Sequence, residues 1–166
     1  MDNLIFDRTK ADADYAEANP KATEFLKGSY GYTDLNRVES WCEYLADILN
    51  NYSYPVKITV KTDWGLKSKA RDNADMERIR KNVNTLKQAY FSFTEIPTNM
   101  DNMTYKKAND IERILFEIDK ILKHMENNFI YAGVGNVGSN RVWQQRFRRK
   151  YIYLILYTWE ELQYTH

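Results

Sequence analysis

The sequence predicts an α+β fold in which a three-helix bundle carries a small, mainly antiparallel sheet. Three long stretches repeat apolar residues at steps of three and four, and this spacing places each set on one face of a helix. A fourth stretch alternates apolar and polar residues, and the C-terminal part combines aromatic residues with turn-forming ones; both features are typical of strands. The strands are expected at residues 54–61, 129–134, 141–147 and 151–158.

The first two helices are predicted from their ends. Residues 9–19 form a short polar helix that Pro20 stops, because the residue before a proline avoids helical backbone angles. The first long helix is expected from about residue 34 to about residue 50. Thr33 is its candidate N-cap, and Asp34 is favourably placed near the positive end of the helix dipole.

The remaining two helices also begin at capping residues. One is expected over residues 75–90 with Asp75 as its cap, and the longest starts after Thr104 and ends near residue 126. Packed against one another, the apolar stripes of the three long helices would form the core of the bundle. The stripes are Leu35, Val38, Trp41/Cys42, Leu45 and Ile48/Leu49; Met76, Ile79, Val83, Leu86 and Tyr90; and Ala108, Ile111, Leu115, Ile118, Leu122 and Met125, doubled by Ile114 and Ile121.

The predicted strands differ in pattern. Residues 54–61 alternate strictly between apolar and polar side chains, which indicates a half-buried strand, and Pro55 favours a position at the edge of the sheet. Tyr151–Trp159 is instead apolar on both faces. A strand of that kind must be covered on both sides, so we expect it to contact a second chain.

Length, composition and charge bound the remaining possibilities. With 166 residues the chain suits one domain, residues 1–166, with a helical bundle over about residues 9–126 and an aromatic, basic, β-rich segment over 129–166. The net charge of +1 gives the whole chain no electrostatic reason to bind nucleic acid. Its longest apolar run is too short to span a bilayer. The single Cys42 excludes an internal disulfide and favours a buried core thiol over a reactive one.

A glycine motif, Gly133-Val-Gly135-Asn-Val-Gly138, matches the dinucleotide-binding pattern GxGxxG. In such a site the glycines let backbone amides approach a pyrophosphate at a helix N-terminus. The motif lies too close to the C-terminus for a doubly wound sheet to follow, and the chain before it is helical. A loop that needs glycine explains it better, so no nucleotide or other cofactor is expected.

The ionisable residues do not form a recognisable catalytic or metal-binding set. A di-iron bundle requires Glu-x-x-His, but Ile121 stands three residues before His124, which is better explained as a solvated helix residue. Glu39, Glu43 and Asp47 form an acidic row at helical spacing, which could do acid–base chemistry but is more typical of a solvated helix face. We therefore expect neither a metal site nor an enzyme.

The C-terminal part holds the most distinctive surface chemistry. Residues 141–150 carry five basic residues and no acidic one, beside Trp143 and Phe147. This pattern could bind nucleic acid, but an edge strand guarded by long charged side chains looks the same and is favoured. The chain also has 13 tyrosines and four tryptophans, which suit contacts with a protein partner or a sugar, or simply fill the core around the helix ends.

Five stretches taken in order carry a resemblance to a known group of proteins. The chain resembles small proteins and domains encoded in the tail and baseplate region of bacteriophages and prophages of Gram-positive bacteria. The resemblance covers most of residues 4–149 and implies a virion component of the distal tail that is not an enzyme; the segment after Lys150 departs from the pattern. The stretches are Leu4–Thr9 with Ala11-Asp12, Lys27–Glu39, Lys61–Trp64, Met103–Leu115 and Arg141–Arg149.

The leading hypothesis is therefore a non-enzymatic structural protein of a phage tail or baseplate, made in the host cytoplasm and located in the virion. It would dock on other virion proteins and form a homo-oligomer, with no nucleic acid, membrane span, cofactor or metal. The alternatives are a module that binds host surface glycans through loop aromatics, and a phage effector that binds a host protein. The expected partner-binding residues are Trp143, Arg146, Phe147, Arg148, Arg149, Tyr151, Tyr153 and Trp159.

Overall fold

Four helices make up the regular structure in a computed structural model, which describes residues 3–21, 25–65 and 73–132, with side chains as far as residue 125. They are α1 (Lys10–Ala18), α2 (Tyr32–Asn51), α3 (Asn73–Ala89) and α4 (Tyr105–Ala132). The predicted mainly helical architecture is thus confirmed, and the described ranges contain no strand. The chain groups into two compact units, residues 1–126 and 127–166, and every side-chain contact given below belongs to the first.

The apolar stripes of α2, α3 and α4 form the core, as their spacing predicts. Every residue of the predicted stripes is buried or half-buried, and the most central ones have no exposed surface. Cys42 lies among them with no exposed surface, which confirms a core thiol, and this burial raises the pKa of the thiol. Fully enclosed members include Val38, Cys42, Leu45 and Leu49 of α2, Ile79, Val83 and Leu86 of α3, and Ile111, Ile114, Leu115 and Ile118 of α4.

The helix starts are set by side-chain hydrogen bonds, which are not always the predicted ones and are reciprocal in α1. Thr9 caps α1, and Asp12 returns the bond by accepting the Thr9 backbone N–H at 2.7 Å. Helix α2 begins at Tyr32 with Gly31 at the N-cap, so the expected Thr33 cap is wrong. The reason is that the Asp34 carboxylate accepts the Gly31 N–H at 2.8 Å, which starts the helix two residues earlier.

Of the caps predicted for the last two helices, one is wrong and one is confirmed. Helix α3 already begins at Asn73, so Asp75 lies in its first turn and is not the predicted cap. Thr104 does cap α4, because its side-chain oxygen accepts the Lys107 N–H at 3.3 Å. An exposed His124 on α4 confirms the solvated position expected for that residue.

Residues 54–61 are extended but do not form the predicted strand. The alternation is real, because Val56 is buried while Pro55 and Lys57 are exposed. The hydrogen-bond partners, however, are side chains on the helices. The Asn50 amide group exchanges two bonds with the backbone of Val56, at 2.8 and 3.1 Å, and takes the place that a neighbouring strand would occupy.

The strand expected at residues 129–134 is also wrong over its first four residues, because α4 continues through Ala132. The cause is visible in the sequence: the apolar steps of three and four continue from Met125 to Phe129 and Ala132, and Asn127-Asn128 does not stop the helix. The other two expected strands, residues 141–147 and 151–158, lie outside the described residues.

Candidate docking surface

The eight residues predicted to bind a partner lie outside the described part of the chain, as does the glycine motif. They are Trp143, Arg146, Phe147, Arg148, Arg149, Tyr151, Tyr153 and Trp159. The prediction about them therefore stands as made. Within the described residues, the notable features are two buried clusters of charged side chains and an exposed surface of aromatic and basic residues.

The first buried cluster joins two arginines and two carboxylates with almost no exposed surface. Arg8 Nη2 lies 2.8 Å from Asp34 Oδ1 and 2.9 Å from Glu112 Oε1. Arg37 reaches the same two carboxylates and meets Glu112 through Nε at 3.0 Å and Nη2 at 2.9 Å. Two positive and two negative charges balance, as buried ions require. Burial opposes the charge on Arg37, yet its bonds to Glu112 and Asp34 raise the pKa of the guanidinium above its ordinary value.

This cluster fastens the N-terminal segment to α4. Glu112 Oε2 accepts the Ile5 backbone N–H at 2.7 Å, and the Asn109 side chain exchanges two bonds with the backbone of Arg8, at 3.1 and 2.8 Å. Arg8 also donates to the Lys27 carbonyl at 3.1 Å. A segment without secondary structure thereby has its backbone groups satisfied by helix side chains.

The second buried cluster centres on Glu39, and it corrects the expectation that the acidic row on α2 is solvated. Glu43 and Asp47 are exposed as predicted, but Glu39 has no exposed surface. Its carboxylate pairs with both terminal nitrogens of Arg78, including Nη2 at 2.7 Å from Oε1. It also accepts the Trp64 indole N–H at 3.1 Å.

Glu39 fastens the extended segment in the same manner as Glu112 fastens the N-terminal one. Its Oε2 accepts the Lys61 backbone N–H at 2.8 Å, and the Asn36 side chain exchanges two bonds with the backbone of Trp64 at 2.9 and 2.8 Å. Asn82 does the same for Thr59 at 3.3 and 2.6 Å. The carboxylate is fully occupied by these donors, so its role is to hold the chain in place.

A third carboxylate, Glu117 on α4, fixes the loop that follows α3. It accepts the backbone N–H groups of Phe93 at 3.0 Å and Thr94 at 3.2 Å, and both side-chain hydroxyls of Ser92 and Thr94 at 2.7 and 2.8 Å. Lys87 adds a bond to the Thr94 carbonyl at 2.6 Å. The loop is therefore held by five side-chain bonds.

The loop that Glu117 fastens carries two exposed aromatic rings, and the segment that Glu112 fastens carries a half-buried ring that packs on an exposed one. Phe91 and Phe93 meet edge to face, with centroids 4.5 Å apart, and are 54% and 45% exposed. Phe6 packs on Phe116 of α4 with centroids 4.8 Å apart, and Phe116 is 40% exposed. Rings this exposed on fixed backbone are typical of contact surfaces.

Basic side chains project between the two α4 residues that the aromatic segments contact, Phe116 and Glu117. Successive helical residues are about 100° apart, so Arg113 and Lys120 project between Phe116 and Glu117 on the face of α4. Both are exposed, and the Arg113 guanidinium stands 5.8 Å from the Phe6 ring centroid. We call Phe6, Phe91, Phe93, Arg113, Phe116 and Lys120 the aromatic–basic surface.

Sequence reasoning missed both charge clusters and this surface. The signal for the clusters was the position of the charges: Glu39 and Glu112 each directly follow a stripe residue, Val38 and Ile111, and a helical stripe is wide enough to bury such a neighbour. No comparable signal marks Phe91 and Phe93, because only the bonds to Glu117 show that their loop is fixed.

Other features of the described residues are ordinary. An open groove of about 480 Å³ lies beside α1, and its charged lining includes Lys10 and Asp14, which pair with each other at 2.6 Å. Among the described residues no three His, Cys, Asp or Glu side chains group closely enough to hold a metal ion. None of the described helices combines the length and apolar character needed to cross a membrane.

Comparisons with models of protein families, with curated proteins and with solved structures gave no match to this chain.

Proposed function

We propose that this chain is a non-enzymatic structural protein of a phage tail or baseplate that docks on other virion proteins. The observation that carries the proposal is the aromatic–basic surface, in which exposed rings stand on backbone that buried or half-buried carboxylates hold in place. Large rings that are already ordered lose little conformational freedom on binding, which favours protein–protein contact. The resemblance to phage tail and baseplate proteins suggests that such contacts are made within a virion.

The stretches that carry this resemblance also supply the members of the two buried clusters, apart from Arg78. Leu4–Thr9 contains Arg8, Lys27–Glu39 contains three of the charged residues, Lys61–Trp64 lies on Glu39, and Met103–Leu115 contains Glu112. These stretches therefore follow contacts that fix the fold, and of the aromatic–basic surface they include Phe6 and Arg113. Such a pattern suits a protein selected for shape and docking.

The proposal includes the C-terminal part as a second contact element. We propose that residues 141–147 and 151–158 form the small antiparallel sheet, and that the aromatic and basic residues from Trp143 to Trp159 contribute to docking. A stretch apolar on both faces, such as Tyr151–Trp159, suits burial against a partner. Its basic and acidic flanks are typical of residues that guard such a stretch against aggregation.

Mass spectrometry of purified particles tests the proposal. Particles of the phage or induced prophage that encodes the chain are banded in a density gradient, stripped of loosely bound protein with high salt, and quantified against a known tail protein. We expect the chain to remain at a fixed ratio to the tail protein. Presence in the lysate with absence from the particles would contradict the proposal and favour the effector alternative. Binding of the isolated chain to a glycan array would favour the host-glycan alternative.

A further inference from the structure

The exposed residues of α4 carry one sign of charge, and the half-buried Asp110 lies near Lys106 and Arg113. Between Tyr105 and Met125 every exposed residue is basic except Phe116, and no exposed acidic residue interrupts the series. Lys123 pairs with Asp119 at 2.7 Å, but Lys106, Arg113 and Lys120 form no ion pair with any residue that the structure describes. The exposed residues are Lys106, Arg113, Phe116, Lys120, Lys123 and His124.

Helix α2 presents the opposite charge. Its only exposed charged residues are Glu43 and Asp47, one helical turn apart, and neither pairs with a cation within the described ranges. The single basic residue of α2, Arg37, is buried in the first cluster. On the same helix, Trp41 and Tyr44 meet edge to face with centroids 5.5 Å apart and are half-buried.

We propose that copies of this chain associate head to tail, with the basic face of α4 in one copy docked on the acidic face of α2 in the next. Charge complementarity argues for a second copy as the occupant, because the exposed cations around Phe116 in one copy would meet the two unpaired acids of α2 in the next. The inference rests on the proposed function only in treating the α4 face as a docking surface.

The two faces differ, and this sets the type of assembly. Neither face is complementary to itself, because like charges would meet if α4 packed on α4 or α2 on α2. A contact between different faces leaves one face of each kind free at the ends, so copies add in one direction and form a ring or a filament. Exposed charge pairs are screened by salt, so the association weakens as ionic strength rises.

Charge-altering variants of the purified full-length chain test the pairing by analytical ultracentrifugation. Lys120→Glu spoils the basic face and leaves the acidic face intact, while the double change Glu43→Gln with Asp47→Asn neutralises the acidic face and leaves the basic face intact. Each variant alone is expected to lose at least tenfold in association at low salt. Mixed together, they are expected to form a one-to-one heterodimer that grows no further, because the two intact faces meet and the two altered faces end the chain of contacts.

The matched control is Lys81→Glu, the same reversal at an exposed position on α3, which should associate like the original chain. Far-UV circular dichroism confirms that each variant is folded, which is expected because the altered side chains are exposed. A monomeric original chain, unchanged association of both test variants, or no heterodimer in the mixture would each overturn the inference. None of these results bears on whether the chain is found in particles, so the proposed function is judged separately.

Discussion

Glu112→Gln is the most informative single change in the fold. The carboxylate has no exposed surface and accepts four hydrogen bonds: from the Ile5 backbone at 2.7 Å, from Arg8 at 2.9 Å, and from Arg37 at 2.9 and 3.0 Å. The amide removes the negative charge and turns one acceptor into a donor that faces guanidinium groups. Two arginines would then share the single carboxylate of Asp34 in a buried site.

The expected cost follows from that imbalance. Removing one partner of a buried ion pair typically costs about 3–5 kcal/mol, because the remaining charge stays buried without compensation. A domain of ordinary stability holds about 5–15 kcal/mol in all, so the variant should lose a large share of it. Urea unfolding followed by circular dichroism measures the loss as a fall in the free energy of unfolding.

Glu43→Gln on α2 is the matched control, because it makes the same chemical change at an exposed site. It should alter the free energy of unfolding by no more than about 0.5 kcal/mol. Similar small losses in the two variants would refute the reasoning, since they would mean that the buried cluster does not depend on Glu112. Amide hydrogen exchange adds a local readout, because loss of protection at Ile5 is expected in the Glu112 variant alone.

Three further changes test separate parts of the structure. Leu115→Ala should cost about 2–5 kcal/mol in a urea melt because the side chain is fully buried, whereas the exposed Lys120→Ala should change little; equal losses would count against the bundle core. Gly28→Ala should cost roughly 1–3 kcal/mol, since the added Cβ would lie 1.9 Å from the Asp12 carbonyl oxygen and the chain must shift; an unchanged melting temperature would show that this approach is not so close. Glu117→Gln should speed hydrogen exchange at the Phe93 and Thr94 amides, while protection at Ile5 stays as it was; unchanged exchange at Phe93 would mean that the loop is held by other contacts.

The helices could be predicted because the spacing of apolar residues within each helix shows which of its faces is buried. Apolar steps of three and four depend only on residues within one helix, and the structure buries or half-buries every residue of the predicted stripes. The helix starts could be predicted less well, because each cap depends on a single side chain. Asp34, for example, accepts the Gly31 N–H and so starts α2 earlier than Thr33 would have done.

For the non-helical segments, the sequence predicts side-chain burial but not the hydrogen-bond partners. Alternation over residues 54–61 correctly indicated the inner side, where Val56 is buried and Tyr54, Ile58 and Val60 are half-buried, although Lys61 on the other side is half-buried too. It could not indicate the hydrogen-bond partner, and the partners proved to be Asn50, Asn82 and Glu39 on the helices. A local pattern carries no information about a contact made with a distant part of the chain.

The charge clusters were missed for the same physical reason. A charged residue is normally solvated, so an acidic row is reasonably assigned to the surface until its partner is known. The partner of Glu39 is Arg78 on another helix, and the partners of Glu112 are Arg8 and Arg37, which lie far from it in sequence. The pairing is a property of the fold, and only the structure brings these residues together.

Incorporation of surface variants into particles tests the central claim most directly: that the aromatic–basic surface is where this chain docks. A double variant, Phe93→Ser with Phe116→Ser, removes two exposed rings, and Tyr15→Ser removes an even more exposed ring from α1 as the control. Each is introduced into the encoding phage or prophage, and quantitative mass spectrometry measures the chain in purified particles and in the lysate. We expect the double variant to be folded and present in the lysate but depleted from particles at least tenfold, while the Tyr15 variant is incorporated normally. Equal incorporation of both variants would contradict the claim.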